Sequence, residues 1–461
     1  MDFTIGKGQS LFPEWMRTNV EVRVRLDSAD GRTAFGCSAD WPSFGWLDKR
    51  TEVQPRQKLK ELLVLVGAAR DAFLANAQFD TPFDCWWQTR TEFLQQDRVR
   101  SAVPLCSSFA MALIERALVD AWCRIEGVSF HAALSQNGLS FQPERIHPEL
   151  KGFSLANGWP REPLGRVNIR HTIGLNDPLT EEDVSDENRL DDGQPHTLED
   201  YVAQDGIQYF KIKGCGGGSQ DLDRLQQIWR VIQPVSPKIT LDGNEAWDDA
   251  AEFGDFVKTL AHELPEIFER ILYIEQPLNR VRTLDPGTSN AIQAISSLKP
   301  LIIDEADGHL HAFAEATKIG YQGVSHKNCK GLFKSLANFA LCKSRNRNDQ
   351  QSLFLSAEDL TNMPMVALQQ DFAVLAALGL QDAERNAHHF FPGLAHLSES
   401  EQRLAIEHHP DLYEEQNGER FMRIENGMVD ITSLATNGLG VAVEPDWGSM
   451  ASLDEWAAGL K

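Results

Sequence analysis

The chain lacks any pattern that would let its cysteines work together. The seven (Cys37, Cys85, Cys106, Cys123, Cys215, Cys329 and Cys342) are widely scattered and form no CxxC pair. An odd, dispersed set argues against a disulfide framework and predicts reduced thiols in a cytoplasmic protein. Basic charge is also short: 44 Lys and Arg stand against 67 Asp and Glu, for a net charge of −23. Binding a phosphate backbone needs a basic footprint, so no nucleic-acid partner is expected. Long apolar runs are missing. Stretches such as Leu62–Ala69 are far too short to cross a bilayer, so no membrane partner is expected. Met1–Lys7 carries no apolar h-region, so no signal peptide is expected. Low-complexity tracts are absent as well. What remains is a soluble globular composition, 42% hydrophobic and 24% charged, over 461 residues, enough for two domains.

The first part mixes two strands with long helices. Val20–Leu26 alternates as VEVRVRL, Asp30-Gly31 marks a turn, and Arg32–Ser38 continues. A tip rich in large side chains follows (Trp41, Pro42, Phe44, Trp46), either a packed turn or a lid over a pocket. Helices are predicted over Gln57–Ala75 and Phe109–Glu126, the second with a one-sided apolar period. From Val167 strand and helix alternate. Strands are predicted at Val167–Ile173, Tyr209–Lys213, Ile239–Asp242, Tyr273–Glu275, Leu301–Asp304, Gly323–Lys327, Leu353–Ser356 and Ala387–Phe391. Eight short apolar strands separated by helices imply parallel pairing through right-handed crossovers, and fit a closed α/β barrel better than an open sheet. Residues 176–196 are acidic and read as a solvated excursion, and His408-His409 reads as surface. The tail after Ser398 is expected to return to the N-terminal domain.

Three apolar runs end on carboxylates: Asp242, Glu275 and Asp304, 33 and then 29 residues apart. That spacing is one strand plus one helix per step. Consecutive parallel strands would bring the three to one end of a barrel, where barrel enzymes hold their sites. Three hard oxygen donors without His or Cys describe a Mg²⁺ site. Each acid alone would read as a helix cap or a surface residue.

Two more strand ends carry lysine. Lys211 and Lys213 close FKIKG, and Lys327 lies in GVSHKNCKG. Residues i and i+2 of a strand share a face, so Lys211 and Lys213 point the same way. A lysine beside another lysine and a metal has a lowered pKa and can act as a base. Lys211 also reads as a structural ion-pair lysine, and Lys327 as a solvated loop lysine.

These pieces together resemble the enolase superfamily, the mandelate racemase/muconate lactonizing enzyme-like proteins, in the muconate-lactonizing-enzyme-like branch. The matching pieces are KIK at 211–213, DGNEAW at 242–247, IEQPL at 274–278, DEADG at 304–308 and HKNCKG at 326–331. The helix FAMALIERALVDAW (109–122) and NGLGV near the C-terminus resemble the family's pre-barrel helix and returning tail. The resemblance implies a modified (β/α)7β TIM-type barrel at 161–397. It implies an α+β capping domain formed by 1–160 and by a C-terminal segment, 398–461. It also implies a homo-oligomer.

The resemblance further implies Mg²⁺ held by Asp242, Glu275 and Asp304, with Lys213 and Lys327 as acid/base residues and Lys211 positioning the substrate carboxylate or the base. Asn244 lies just beyond the first ligand, and Glu305 could orient Lys327. Trp41, Phe44 and Trp46 resemble in position the cap loop that closes the family's barrels, or pack in the core. Glu384, Asn386, His388 and His389 cluster near the eighth strand end; they line the pocket or form a structural group. Glu358 and Asp359 after the seventh strand are similar candidates. The implied chemistry is removal of a proton α to the carboxylate of a small molecule, through an enediolate. Two lysines suit racemisation or epimerisation, cycloisomerisation or β-elimination. The seventh-strand segment SLFLSAEDL has no His, which argues against dehydratases built on a His–Asp pair. A dehydratase would need His326, His388 or His389 as base. A metal-retaining binding protein without turnover is the other alternative.

Overall fold

The structure is a computed structural model that describes residues 19–153, 158–185, 192–386 and 393–459. In the cap, β1 (Val20–Asp27) and β2 (Thr33–Asp40) form an antiparallel hairpin over the predicted turn. The helices Pro55–Ala75 and Pro104–Glu126 both start on Pro, whose missing N–H costs nothing in a first turn. The second ends at Gly127, which takes the left-handed conformation (φ 68°) that glycine favours at a helix C-terminus. Strand β2 lies directly on this helix. A Cβ at Gly36 would stand 2.2 Å from the Ala121 nitrogen, so only glycine fits there. Beside it, Arg116 pairs with Asp40, both fully buried. A guanidinium is out of water here only because a carboxylate meets it.

The second region is a closed barrel of eight parallel strands: β3 (Arg166–Ile173), β4 (Tyr209–Lys213), β5 (Lys238–Asp242), β6 (Ile271–Glu275), β7 (Leu301–Ile303), β8 (Gly323–His326), β9 (Phe354–Ala357) and β10 (Asp382–Arg385). β10 pairs with β3 and closes the ring. Helices such as Ser219–Ile232, Ala250–Glu263 and Leu332–Asn348 cover the outside. The cap shares its core with the barrel, because Leu332, Phe333 and Leu336 of the last of these helices pack into the cap cluster.

Seven strands lie within two residues of their predicted ends. The eighth does not: it is Asp382–Arg385, and the predicted span Ala387–Phe391 falls outside the described residues. The reason is chemical. In DAER only Ala383 is apolar; Glu384 and Arg385 are buried by pairing with Lys211 and Asp371, which an apolar pattern cannot register.

The tail passes along the barrel before it reaches the cap. After the hairpin β11 (Tyr413–Gln416) and β12 (Glu419–Met422), β13 (Met428–Asp430) pairs antiparallel with β3 on the barrel. Only from Gly438 does the chain rejoin the cap, where the Phe130 N–H donates to the Gly438 carbonyl at 3.0 Å and the Leu439 N–H donates to Asp120 at 2.7 Å. The excursion at 176–196 is anchored at its ends by buried Leu179, His196 and Thr197.

His409, read as a surface residue, is fully buried, its Nδ1 2.9 Å from the Ser433 hydroxyl, while His408 is exposed. Burial pulls the His409 pKa down to about 4. Its unfolded form binds protons more readily, near a pKa of about 6.5. Stability from the neutral ring is therefore full above that value and is lost as pH falls toward the folded pKa. The destabilisation by His409→Gln in denaturant unfolding is accordingly expected to be larger at pH 7 than at pH 5. An equal cost at both would exclude a buried neutral His409.

Candidate active site

At the carboxyl ends of the barrel strands, charged side chains form a ring. Lys213 ends β4, Asp242 ends β5 and Glu275 ends β6, in lateral register. Asp304 follows β7 and Lys327 follows β8. Glu358 follows β9, Glu384 lies in β10, and Arg170 and Thr172 lie in β3. In a ring of eight, β4 and β8 are four strands apart, so Lys213 and Lys327 face each other across the axis.

The loops that hold these groups explain the motifs. Gly243 permits a close crossing: a Cβ there would stand 2.6 Å from Pro277 Cα. Asn244 and Glu245 then both adopt positive φ (48° and 63°), turning the chain tightly after Asp242. Gln276, buried between strands, accepts from the backbone N–H groups of Asp304 and Ala306 at 2.8 and 3.1 Å. Its amide donates to the Leu278 carbonyl and the Thr283 hydroxyl, both at 2.7 Å. One side chain thus locks the IEQPL and DEADG segments together, satisfying buried backbone groups that would otherwise be orphaned.

Lys211 stands at the centre. Its ammonium lies 3.1 Å from Asp242, 2.8 Å from Glu275, 2.7 Å from Glu358 and 3.2 Å from Glu384. Lys213 shares Asp242 at 3.1 Å and donates to Asn244 at 3.2 Å. Lys327 lies 2.8 Å from Asp304, whose other oxygen meets Lys330 at 3.1 Å. Glu358 is also held by Arg170 and by the Tyr273 hydroxyl at 3.2 Å, and Glu384 by Thr172 at 2.7 Å.

Burial opposes the charged form of every lysine here, yet the carboxylates outweigh it. Asp242 raises the pKa of Lys211 and Lys213, and Asp304 raises that of Lys327. Asp304 stays ionised against burial because Lys327 and Lys330 hold it well below the usual range. Glu275 goes the other way: burial, then Asp242 and Glu358, lift it well above that range. Burial and Asp304 lift Glu305 to about 8.

The cap closes over one side of the ring through Trp46. Its indole N–H donates to Glu305 at 3.0 Å, and its ring lies 4.3 Å from the Lys327 ammonium. Arg280 fastens this segment, donating to the Trp46 and Leu47 carbonyls at 2.9 Å while paired with Glu245 at 2.8 Å. Of the other two cap residues singled out in the sequence, Phe44 belongs to the cap core, and Trp41 stands half-buried at the start of the same segment.

The ring thus gathers Lys211, Lys213, Asp242, Asn244, Glu275, Asp304, Lys327 and Glu384, with Glu305 behind Lys327. Asn386 is not brought in: its amide donates to Asp359 at 3.0 Å and Thr361 at 3.2 Å. His388 and His389 lie outside the described residues. His326 alternates with Ser325 and Lys327 and faces outward, with Nδ1 2.8 Å from the Ser335 hydroxyl. Burial, with Lys330 and Arg116, lowers its pKa to about 3. Sequence reasoning missed Arg170, Thr172 and Lys330. The signals were present: an inward Arg and Thr at i and i+2 in the strand NIRHTI, and a second lysine in HKNCKG.

Among the described residues no three acid, His or Cys side chains are already drawn up as a metal cage. The donor set nonetheless fits a hard cation. Asp242, Glu275 and Asp304 come from three consecutive strands, as hard oxygen donors must to converge. Without a cation the crowded carboxylates repel one another, as the raised Glu275 shows, and a cation among Asp242, Glu275 and Asp304 would relieve that repulsion.

The enolase C-terminal domain-like family matches residues 195–447. None of the curated proteins compared with the chain matches it. Among solved structures, a mandelate racemase/muconate lactonizing protein from Herpetosiphon aurantiacus is similar at 15% identity and a TM-score of 0.55, over 92% of this chain and 90% of that one. A dipeptide epimerase from Enterococcus faecalis V583 is similar at 14% identity and a TM-score of 0.54, over 92% and 94%. A muconate lactonizing enzyme from Mucobacterium Smegmatis is similar at 16% identity and a TM-score of 0.56, over 92% of each chain. At these identities the likeness establishes a shared fold: a capped barrel.

Proposed function

The chain belongs to the enolase C-terminal domain-like family, and from that premise we propose that it is a Mg²⁺-dependent enzyme that removes a proton α to a substrate carboxylate. The observation that carries this reading is the placement of Lys213 and Lys327 on strand ends four apart, across the barrel axis. A carbon held between them presents opposite faces to two amines. One takes the α-proton as general base, and the other returns a proton to the opposite face or to a leaving group.

Asp242, Glu275 and Asp304 would hold Mg²⁺, which supplies positive charge for the enediolate's oxygens and weakens the attraction that keeps the lysines protonated. Lys211 keeps Glu358, Glu384, Asp242 and Glu275 from repelling one another and so holds the ring in shape. Trp46 covers Lys327 and excludes water from one side of it. Racemisation or epimerisation uses both lysines most directly; cycloisomerisation and β-elimination use the same first step. The outward, Ser335-bonded His326 weighs against a dehydratase that would need it as base.

The test is incubation with Mg²⁺ in D₂O against a pooled library of carboxylic acids, amino acids, dipeptides and acid sugars, followed by mass spectrometry. Deuterium at the α-carbon of one substrate class is the expected result. A protein that binds library members with Mg²⁺ present but exchanges none of them is a binding protein, and the proposal fails.

A further inference from the structure

Away from the ring, a cavity of about 240 Å³ lies between the cap helices Pro82–Phe93, Asp97–Arg100 and Pro104–Glu126 and the loops after β7 and β8. It is smaller than the roughly 300–1,000 Å³ of pockets that take drug-sized ligands, so its ligand is small. Four cations line it (Arg90, Arg100, Lys330 and Lys334), against one carboxyl, Glu115. Lys330 and Lys334 are already paired with buried Asp304 and Asp307, so the positive charge left to the wall is that of Arg90 and Arg100. Asp307 pairs with Lys334 at 2.9 Å and with Lys330 at 3.4 Å but stands behind them, outside the lining. Burial lifts Glu115 to about 7, and one of its oxygens is engaged by the Phe333 N–H at 2.6 Å.

Two groups in the wall have nothing to bind. Among the described residues Arg90 has no hydrogen-bond or ion-pair partner; its nearest ring is Trp86, 6.0 Å away. Partial burial pulls its pKa down to about 10, although the Glu115 carboxyl opposes the shift. The Ser107 hydroxyl is buried, 5% exposed as a residue, and also lacks a partner. A buried hydroxyl is ordinarily satisfied, and a cavity that leaves Ser107 open beside a half-buried guanidinium with no protein acceptor is short of an acceptor. Arg90, Arg100 and Ser107 come from three cap helices, which suits an acceptor with oxygens in several directions rather than a planar one.

We propose that this cavity is a second binding site, for a phosphate group, either the free ion or the end of a small monoester. It is separate from the reaction centre and touches it only through Lys330, which also pairs with Asp304.

Calorimetric titration with inorganic phosphate at pH 7, at an ionic strength held constant with chloride, tests this. One saturable site is expected. Arg90→Gln is expected to weaken binding roughly tenfold or more, since it removes a charge-assisted donor. Arg100→Gln, at an exposed position that cannot disturb folding, is expected to weaken it as well. Lys213→Ala, in the ring, is expected to leave it unchanged. Ethyl phosphate binding more tightly than phosphate would identify a monoester as the ligand; equal or weaker binding would identify the free ion. No binding by the wild-type protein overturns the proposal. So does binding indifferent to both arginine substitutions, or binding lost in Lys213→Ala instead.

Discussion

Once a substrate is identified by α-exchange, Lys213→Ala and Lys327→Ala are each expected to lower turnover by about 10²–10⁴-fold, the range that a positioned acid or base contributes. The two variants should differ in what they retain. If the reaction is 1,1-proton transfer, each keeps slow α-exchange with one stereoisomer, the one whose proton faces the surviving lysine. If it is elimination or cycloisomerisation, one lysine takes the proton, and its loss alone removes all exchange. Thermal unfolding and Mg²⁺ titration of both variants separate a chemical effect from a structural one, because Lys327 also pairs with buried Asp304. Full turnover in either variant would mean that the lysine is not an acid or base in the reaction.

Lys211→Met is expected to destabilise the fold by about 3–5 kcal/mol, the cost of leaving a buried charge without its partner. Four carboxylates lie within 3.2 Å of that one ammonium, and no water reaches it, with 1% of its side chain exposed. Adding Glu358→Gln should recover part of the loss, since it removes a charge that Lys211 neutralises. A double-mutant cycle in denaturant unfolding reads that coupling. Mg²⁺ should stabilise the single variant more than the wild type, by offsetting the repulsion in Lys211's place. A Lys211→Met protein as stable as the wild type would show that the four acids are neutral in the fold and need no counter-ion.

Both predictions concern residues that stand out in the sequence, but for different reasons. Lys213 and Lys327 are legible as chemistry because each closes an apolar strand, and strand ends at one face of a barrel converge. The barrel was legible for the same reason: seven strands are short apolar runs at regular spacing, and a buried parallel strand writes itself as such a run. Arg170 and Glu384 break that correlation. They lie in β3 and β10 at the centre of the molecule yet are among its most polar buried groups, so hydrophobic periodicity passed over one and misplaced the strand that holds the other. Trp46 shows a further limit. A Trp in a turn reads equally well as packing or as a lid, and only its contacts with Glu305 and Lys327 decide.

By itself, then, the order of strand-ending Asp242, Glu275, Asp304 and the lysines on either side determined a barrel with a carboxylate–lysine centre, since local pattern controls which residues form strands and which face they share. Tertiary structure alone decided the rest. It made Lys211 the counter-ion of four acids, turned His326 outward, sent β13 to the barrel rather than the cap, and left Arg90 without a partner at a cap–barrel cavity. Each of these depends on which distant groups meet once water is excluded, and a buried charge takes its role from its neighbours rather than from its own position along the chain.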